Sequence, residues 1–325
     1  MHAIRFHALG GPEVLKYEEV DDPVPGEGDV LVRVRAAGLN YADTMFRRGE
    51  YFVRPVFPQI PGMECAGEVI ALGPGASGVS VGDRVMGLAS NAYAEKLVCK
   101  PRDLYPMPDG LTFEQSAALP VQALTAHHVL HLCARITKGE RVLVHAGAGG
   151  VGTLAIQLAK RAGASLVIAT VGSADKAELV KSLGADVVIN YREEAFHTRV
   201  REVTAGAGVD VLLEMLGGTE AYKRDLASLA PLGRMVVFGS ASGDTRGAIE
   251  PIGLMAKNQS VIGYYLTPLL RRRELCAPAL DEVARLAASG DVRVVIGKRF
   301  ALRDAADAQR ALESRTTVGK VVLEV

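Results

Sequence analysis

The sequence predicts an α/β protein of two domains, one β-rich and one built on a parallel sheet with helices between its strands. Three observations carry this. A strand–turn–helix segment in the middle of the chain places Gly147, Gly149 and Gly152 at the spacing G-x-G-x-x-G. Beyond it, apolar β-branched runs alternate with segments of helical period, which calls for a parallel sheet with right-handed crossovers. Before it, residues 1–120 hold short strand patterns cut by glycine turns.

In the first part, Val30–Ala36 alternates apolar and polar residues, as a half-buried strand does, between the punctuating Gly26–Asp29 and Gly38. Gly67–Gly73 and Asp83–Leu88 suggest further short strands around a glycine-rich loop. This fits a compact, partly open β-barrel better than a parallel sheet.

Thr125–Ala134 has helical period, and Val142–Val144 is the short apolar run of a buried strand. A helix follows over Thr153–Ala162. Strands are expected at Leu166–Thr170, Val187–Asn190, Val209–Glu214, Met235–Gly239 and Ser260–Tyr264, making a six-stranded unit. Helices are expected between them at Asp175–Leu183, Glu193–Thr204 and Glu220–Ala230. The tail holds a helix, Ala277–Ser289, the segment Gly297–Phe300, a short helix, Asp304–Ser314, and a final apolar strand, Gly319–Val325. That tail is expected to return to the first domain. The resulting division is 1–122 with 266–325, and 123–265.

Composition narrows the function classes. Thirty-seven basic residues balance thirty-seven acidic ones, so neither a nucleic-acid stripe nor an anionic-membrane partner is expected. The first residues lack the layout of a signal peptide, and no apolar run is long enough for a membrane span. Cys65, Cys99, Cys133 and Cys276 are far apart and form no C-x-x-C pair. They suggest buried thiols in a reducing, cytoplasmic compartment.

The glycine motif carries the chemistry. Its first glycine allows the tight turn, its second lets backbone approach a pyrophosphate, and its third lets helix pack on strand. The phosphates then sit at the positive helix N-terminus. NAD-specific units place an acid roughly 20 residues further on, against the ribose 2′-hydroxyl. Here that point falls on Val171, Gly172 and Ser173. A small Gly–Ser turn leaves room for a 2′-phosphate, with Lys176 to supply charge.

The order of a β-rich start, AGAGGVG in an alternating unit and a returning tail resembles the medium-chain dehydrogenase/reductase superfamily. AAGLNYADTMFRRGEY, PGMECAGEV, GAIEPIGLMAKNQSVIG and TTVGKVVLEV are similar to its zinc-free, zeta-crystallin-like quinone oxidoreductases. The resemblance covers nearly the whole chain. It implies a GroES-like catalytic domain, a Rossmann domain for NADPH, and a homodimer through the Rossmann domain. In zinc-dependent relatives a cysteine and a histidine–glutamate pair bind zinc. The matching positions here are Asn40, Met63 and Glu64, and an amide and a thioether replace thiolate and imidazole poorly at Zn²⁺. No metal is expected.

By the same resemblance, Lys176, Tyr191 and Arg315 grip the 2′-phosphate, and Gly150, Val151, Ser173, Phe238, Gly239 and Ser240 line the cofactor channel with Thr125. Asn40, Tyr41, Asp43 and Tyr51 come from the segment that shapes the substrate site in relatives. Asn40 is the candidate orienting donor and Tyr51 the candidate hydrogen-bond or proton donor. Tyr41 also suits a core position, and Asp43 a helix cap. Tyr264 or Leu266 reaches the substrate, or their segment forms a dimer edge. His127, His128 and His131 suggest a packed helix face rather than a metal site. The expected reaction is NADPH-dependent quinone reduction. Reduction of an activated C=C bond, in an enone or enoyl thioester, is the enzymatic alternative, and a crystallin-like, RNA-binding role is the non-enzymatic one.

Overall fold

The computed structural model describes residues 1–244 and 247–325. These form two compact units, Met1–Gln122 with Leu270–Val325, and Ala123–Leu269. In the second unit Arg141–Val144, Leu166–Val171, Val187–Asn190, Val209–Glu214, Leu229–Val237 and Ser260–Gly263 form one parallel sheet. Numbered in chain order, they lie 3-2-1-4-5-6. This is the doubly wound order, whose crevice opens where the sequence of strands reverses, between the first and fourth. Val142, Leu143, Ile168, Ala169, Val211 and Leu212 are all fully buried, as strands covered on both faces require.

Several boundaries depart from the sequence expectation, and two of them have a direct local cause. The helix expected from Thr125 starts at Pro120 and passes into π form over His128–Cys133. A proline at the first helical position forfeits only an N–H with no intrahelical partner, so Pro120 opens the helix. The helix expected to reach Ala230 stops at Ser228, because Leu229 pairs with Val209 in the fifth strand. Pro231 favours extended backbone in the residue before it.

Val30–Leu39 organises the first unit. One edge pairs antiparallel with Cys65–Leu72. The other edge is shared, with Lys96–Cys99 over Val30–Arg33 and Lys320–Glu324 over Ala36–Leu39. Such sharing curls the sheet. It continues through Arg84–Gly87 to Leu104–Pro106, and beyond the C-terminal strand to Ile296–Ala301. Val321 lies opposite Leu39, so the tail delivers Lys320 beside Asn40. The hairpin of His2–Arg5 with Lys16–Glu19 is absent from the sequence reading. Its strands are four residues each, and the second has no buried residue to set a period.

Candidate active site

The glycine loop joins the first strand of the parallel sheet to the helix Gly150–Arg161. Gly147 N–H donates to Thr170 O at 2.9 Å, tying the loop to the second strand. A Cβ on Gly147 would lie 2.8 Å from that of Ala169, and one on Gly152 would lie 2.4 Å from Ala146 O. The first and third glycines are therefore steric requirements. Gly149 is the N-cap and no side chain caps this helix. The amides of Gly150, Val151 and Gly152 open its first turn, and such a terminus favours an anion.

After the second strand comes Gly172–Ser173, then the helix Ala174–Ser182 with Asp175 in its first turn. A Cβ on Gly172 would lie 2.6 Å from the Tyr191 hydroxyl and 3.5 Å from Arg192 Nε. Half-buried Lys176 has its ammonium pKa lowered by burial and then by the charge of Arg192. Two cations and a phenol thus gather at this strand end. Arg192 was missed from sequence, although it directly follows Tyr191. Arg315 lies in the other unit, exposed, at φ 57° just past the helix Ala305–Glu313.

Five other residues singled out from the sequence belong to the second unit. Thr125, 7% exposed, lies in the helix Pro120–His127. Phe238, Gly239 and Ser240 follow the fifth strand, and Phe238 N–H donates to Glu214 O at 2.9 Å. Tyr264 is buried, its hydroxyl 3.0 Å from His128 Nδ1.

In the same unit, His145 links Thr170 Oγ1 at 3.0 Å to Asp225 Oδ1 at 2.8 Å. Glu214, at the end of the fourth strand, accepts from the N–H groups of Leu216 and Gly217 at 2.6 and 2.9 Å. Burial pushes its carboxyl up to about 7, against the pull of those N–H groups and with the nearby charge of Asp225 adding to the rise. Sequence reading missed this cluster, because its acids and histidine lie inside apolar strands and a helix.

In the first unit Asn40 precedes the helix Tyr41–Arg48. Its N–H donates to Asp43 Oδ2 at 2.8 Å, and the Tyr93 hydroxyl donates to the same oxygen at 2.9 Å. Asp43 is thus a helix cap, 2% exposed, and burial pushes its carboxyl up to about 6. That geometry is the helix-cap alternative given to Asp43 from the sequence. The Asn40 side chain turns away from the helix. Its Nδ2 donates to Glu64 Oε1 at 2.7 Å, and its Oδ1 accepts from Lys320 Nζ at 2.9 Å. Lys320 also pairs with Glu64 Oε1, while Glu64 Oε2 accepts from Val121 N–H at 2.8 Å. Glu64 is fully buried and Lys320 is 1% exposed. Sequence reading missed Lys320, which looks like an ordinary residue of an edge strand.

Tyr41 opens the helix with the Arg48 guanidinium 5.9 Å from its ring centre. Tyr51 lies beyond the helix, with its ring 5.6 Å from that of Phe52. Phe52, Val53 and Val56, which follow it in the chain, are exposed. All four cysteines are free, and burial pushes the Cys99 thiol up to about 12, so that group is no nucleophile.

These donors do not suit zinc. Glu64, the one acid retained from the zinc-dependent pattern, is engaged by an ammonium, an amide and a backbone N–H. A cation is already present where a metal would have to be held.

Residues 26–109 match the family model described as alcohol dehydrogenase GroES-like domain, and residues 150–285 match zinc-binding dehydrogenase. The chain is 39% identical to a quinone oxidoreductase of Pseudomonas aeruginosa, with 98% of each chain covered. It is 34% identical to the quinone oxidoreductase of Homo sapiens, over 99% of this chain and 97% of the relative. The crystal structure of Escherichia coli quinone oxidoreductase complexed with NADPH superposes at a TM-score of 0.94, with 36% identity and 100% of both chains covered.

Proposed function

The chain belongs to the quinone oxidoreductases of the medium-chain dehydrogenase/reductase superfamily, and on that footing we propose that it reduces quinones with NADPH and no metal ion. The observation that carries the reading is the combination of an uncapped helix terminus after the glycine loop with Lys176 and Arg192 where an acid would select NADH. When bound, NADPH supplies the hydride.

The remaining work belongs to the chain. The first-turn amides at Gly150–Gly152 hold the pyrophosphate, and Lys176, Tyr191 and Arg192 hold the 2′-phosphate. Thr125, Phe238, Gly239 and Ser240 line the nicotinamide end. Asn40 orients the acceptor through its second amide N–H, and Tyr51 donates a hydrogen bond or a proton to the reduced oxygen. A quinone accepts a hydride readily, so these donors suffice without a Lewis acid. Tyr41 borders the acceptor.

The chain acts as a homodimer. Ser260–Gly263 is an edge strand paired on one side within the sheet, and Leu232, Ile252 and Met255 of the same unit are 68%, 71% and 68% exposed. Apolar exposure of this size suits a partner surface, and sedimentation equilibrium reads the state. Among the described residues no helix is long and apolar enough to cross a membrane. Four free thiols suit the cytoplasm.

The deciding experiment is NADPH oxidation measured across a panel of quinones, enones and enoyl thioesters. Fast turnover confined to quinones is expected. Faster turnover of an enone would move the assignment to C=C reduction, and tight NADPH binding without turnover of any acceptor would make the protein a non-catalytic binder.

A further inference from the structure

The amide of Asn40 has two orientations that differ by exchanging oxygen and nitrogen. Its partners choose between them, because an ammonium only donates and a carboxylate only accepts. Lys320 Nζ at 2.9 Å therefore requires the amide oxygen, and Glu64 Oε1 at 2.7 Å requires the nitrogen. We propose that Lys320 is a positioning residue for the reaction: it fixes which way the Asn40 amide faces and strengthens its N–H groups as donors to the acceptor. This rests on the acceptor role given to Asn40 above.

Two observations carry the proposal. Lys320 is 1% exposed and Glu64 fully buried, and a methionine would fill the lysine's volume without desolvating an ammonium. The charge therefore needs a reason beyond packing. It is placed on the oxygen of an amide whose nitrogen keeps one N–H beyond the bond to Glu64. A cation on the oxygen draws density from the nitrogen and makes both N–H groups better donors, the usual cooperativity of linked hydrogen bonds.

The surroundings are also shaped to hold this arrangement. A Cβ on Gly38 would come within 2.8 Å of both Glu64 Oε1 and Lys320 Cε, and 2.5 Å of Ala117 O. Any side chain there would displace the pair. The second oxygen of Glu64 is fixed by Val121 N–H at 2.8 Å, and the register of Val321 with Leu39 brings the lysine to the amide. A lysine thus provides an internal cation next to the acid that zinc-dependent relatives use for metal. Here the cation acts on an amide and not on the substrate.

The test compares Lys320→Met with the double variant Glu64→Gln/Lys320→Met, using the full chain. Acceptor kcat/KM, NADPH dissociation by fluorescence and thermal midpoint are measured for each. Lys320→Met is expected to lower acceptor kcat/KM roughly ten- to hundredfold, the loss of one hydrogen bond to a charged group, with NADPH dissociation unchanged. The double variant removes both charges, so its midpoint recovers, yet either amide orientation becomes possible and turnover stays low. Wild-type kcat/KM in the double variant would overturn the proposal, since Lys320 would then serve only to neutralise Glu64. Wild-type kcat/KM in a folded Lys320→Met would overturn it too. Failure of the unmutated chain to reduce any quinone would instead strike at the acceptor assignment itself.

Discussion

The buried carboxylate of the first unit, Glu64, lies against an ammonium, whereas the buried carboxylate of the second, Glu214, lies in the field of a second acid, Asp225. Both oxygens of Glu64 accept hydrogen bonds. Glu214 uses one oxygen, while its Oε2 and the Oδ2 of Asp225 have no hydrogen-bond partner among the described residues. The difference concerns how each unit tolerates buried charge. In the first unit a cation compensates the acid, and an amide hydrogen bond joins them. In the second the acid holds its proton to near neutral pH, and the neutral form is the one the interior accepts.

Removing one member of each pair should therefore have unequal consequences. Glu64→Ala leaves the Lys320 ammonium buried without its counter-charge, which costs about 3–5 kcal/mol. Urea denaturation at neutral pH measures it. A loss below about 1 kcal/mol would mean that the ammonium reaches water once Glu64 is gone, and the contrast between the units would dissolve.

The same comparison extends to the cations. Lys320 is committed inside the protein, whereas Lys176, its ammonium pKa lowered by burial and then by the charge of Arg192, stands near a second cation. Two like charges held together are stabilised by an anion, and a 2′-phosphate is one. Lys176→Ala and Arg192→Ala should each raise the NADPH KM roughly tenfold, about the worth of one charge-assisted hydrogen bond, and leave the NADH KM nearly unchanged. Equal losses with both cofactors would remove the 2′-phosphate from the account and leave Lys176 and Arg192 as two solvated cations.

The second unit was largely legible in the sequence, because its signals are local. The glycine spacing, the β-branched runs and the helical periods each occupy a window of a dozen residues, and strands such as Val187–Asn190 and Val209–Glu214 lie where the pattern put them. The missing acid after the second strand was equally local. Lys320 and Glu64 are 256 residues apart, and nothing in either segment names the other. Their meeting depends on the tail strand pairing with Val30–Leu39, and a register shifted by one residue would turn the lysine to the opposite face. Asn40 was singled out as a candidate donor, but nothing near it in sequence names its two partners, which come from distant segments of the chain. The π-helical stretch at His128–Cys133 carries no such local signal.

The pH dependence of stability gives the smallest and most selective probe of the contrast. Glu214 ordinarily titrates near 4.5 and is pushed up to about 7 in the folded chain. Between those values the folded state keeps a proton that the unfolded state has released. Its contribution is fully present below pH 4.5 and is lost as pH rises through 7. Glu214→Gln keeps an oxygen for the Leu216 and Gly217 N–H groups and mimics the protonated acid. The two proteins should therefore unfold at similar urea concentrations near pH 5. By pH 8 the variant should be the more stable, by on the order of 2 kcal/mol. Asp43, pushed up to about 6, slopes in the same direction in both proteins and cancels in the difference. Parallel curves from pH 5 to pH 8 would mean that Glu214 is ionised throughout, and the second unit would then carry its buried charge as the first does.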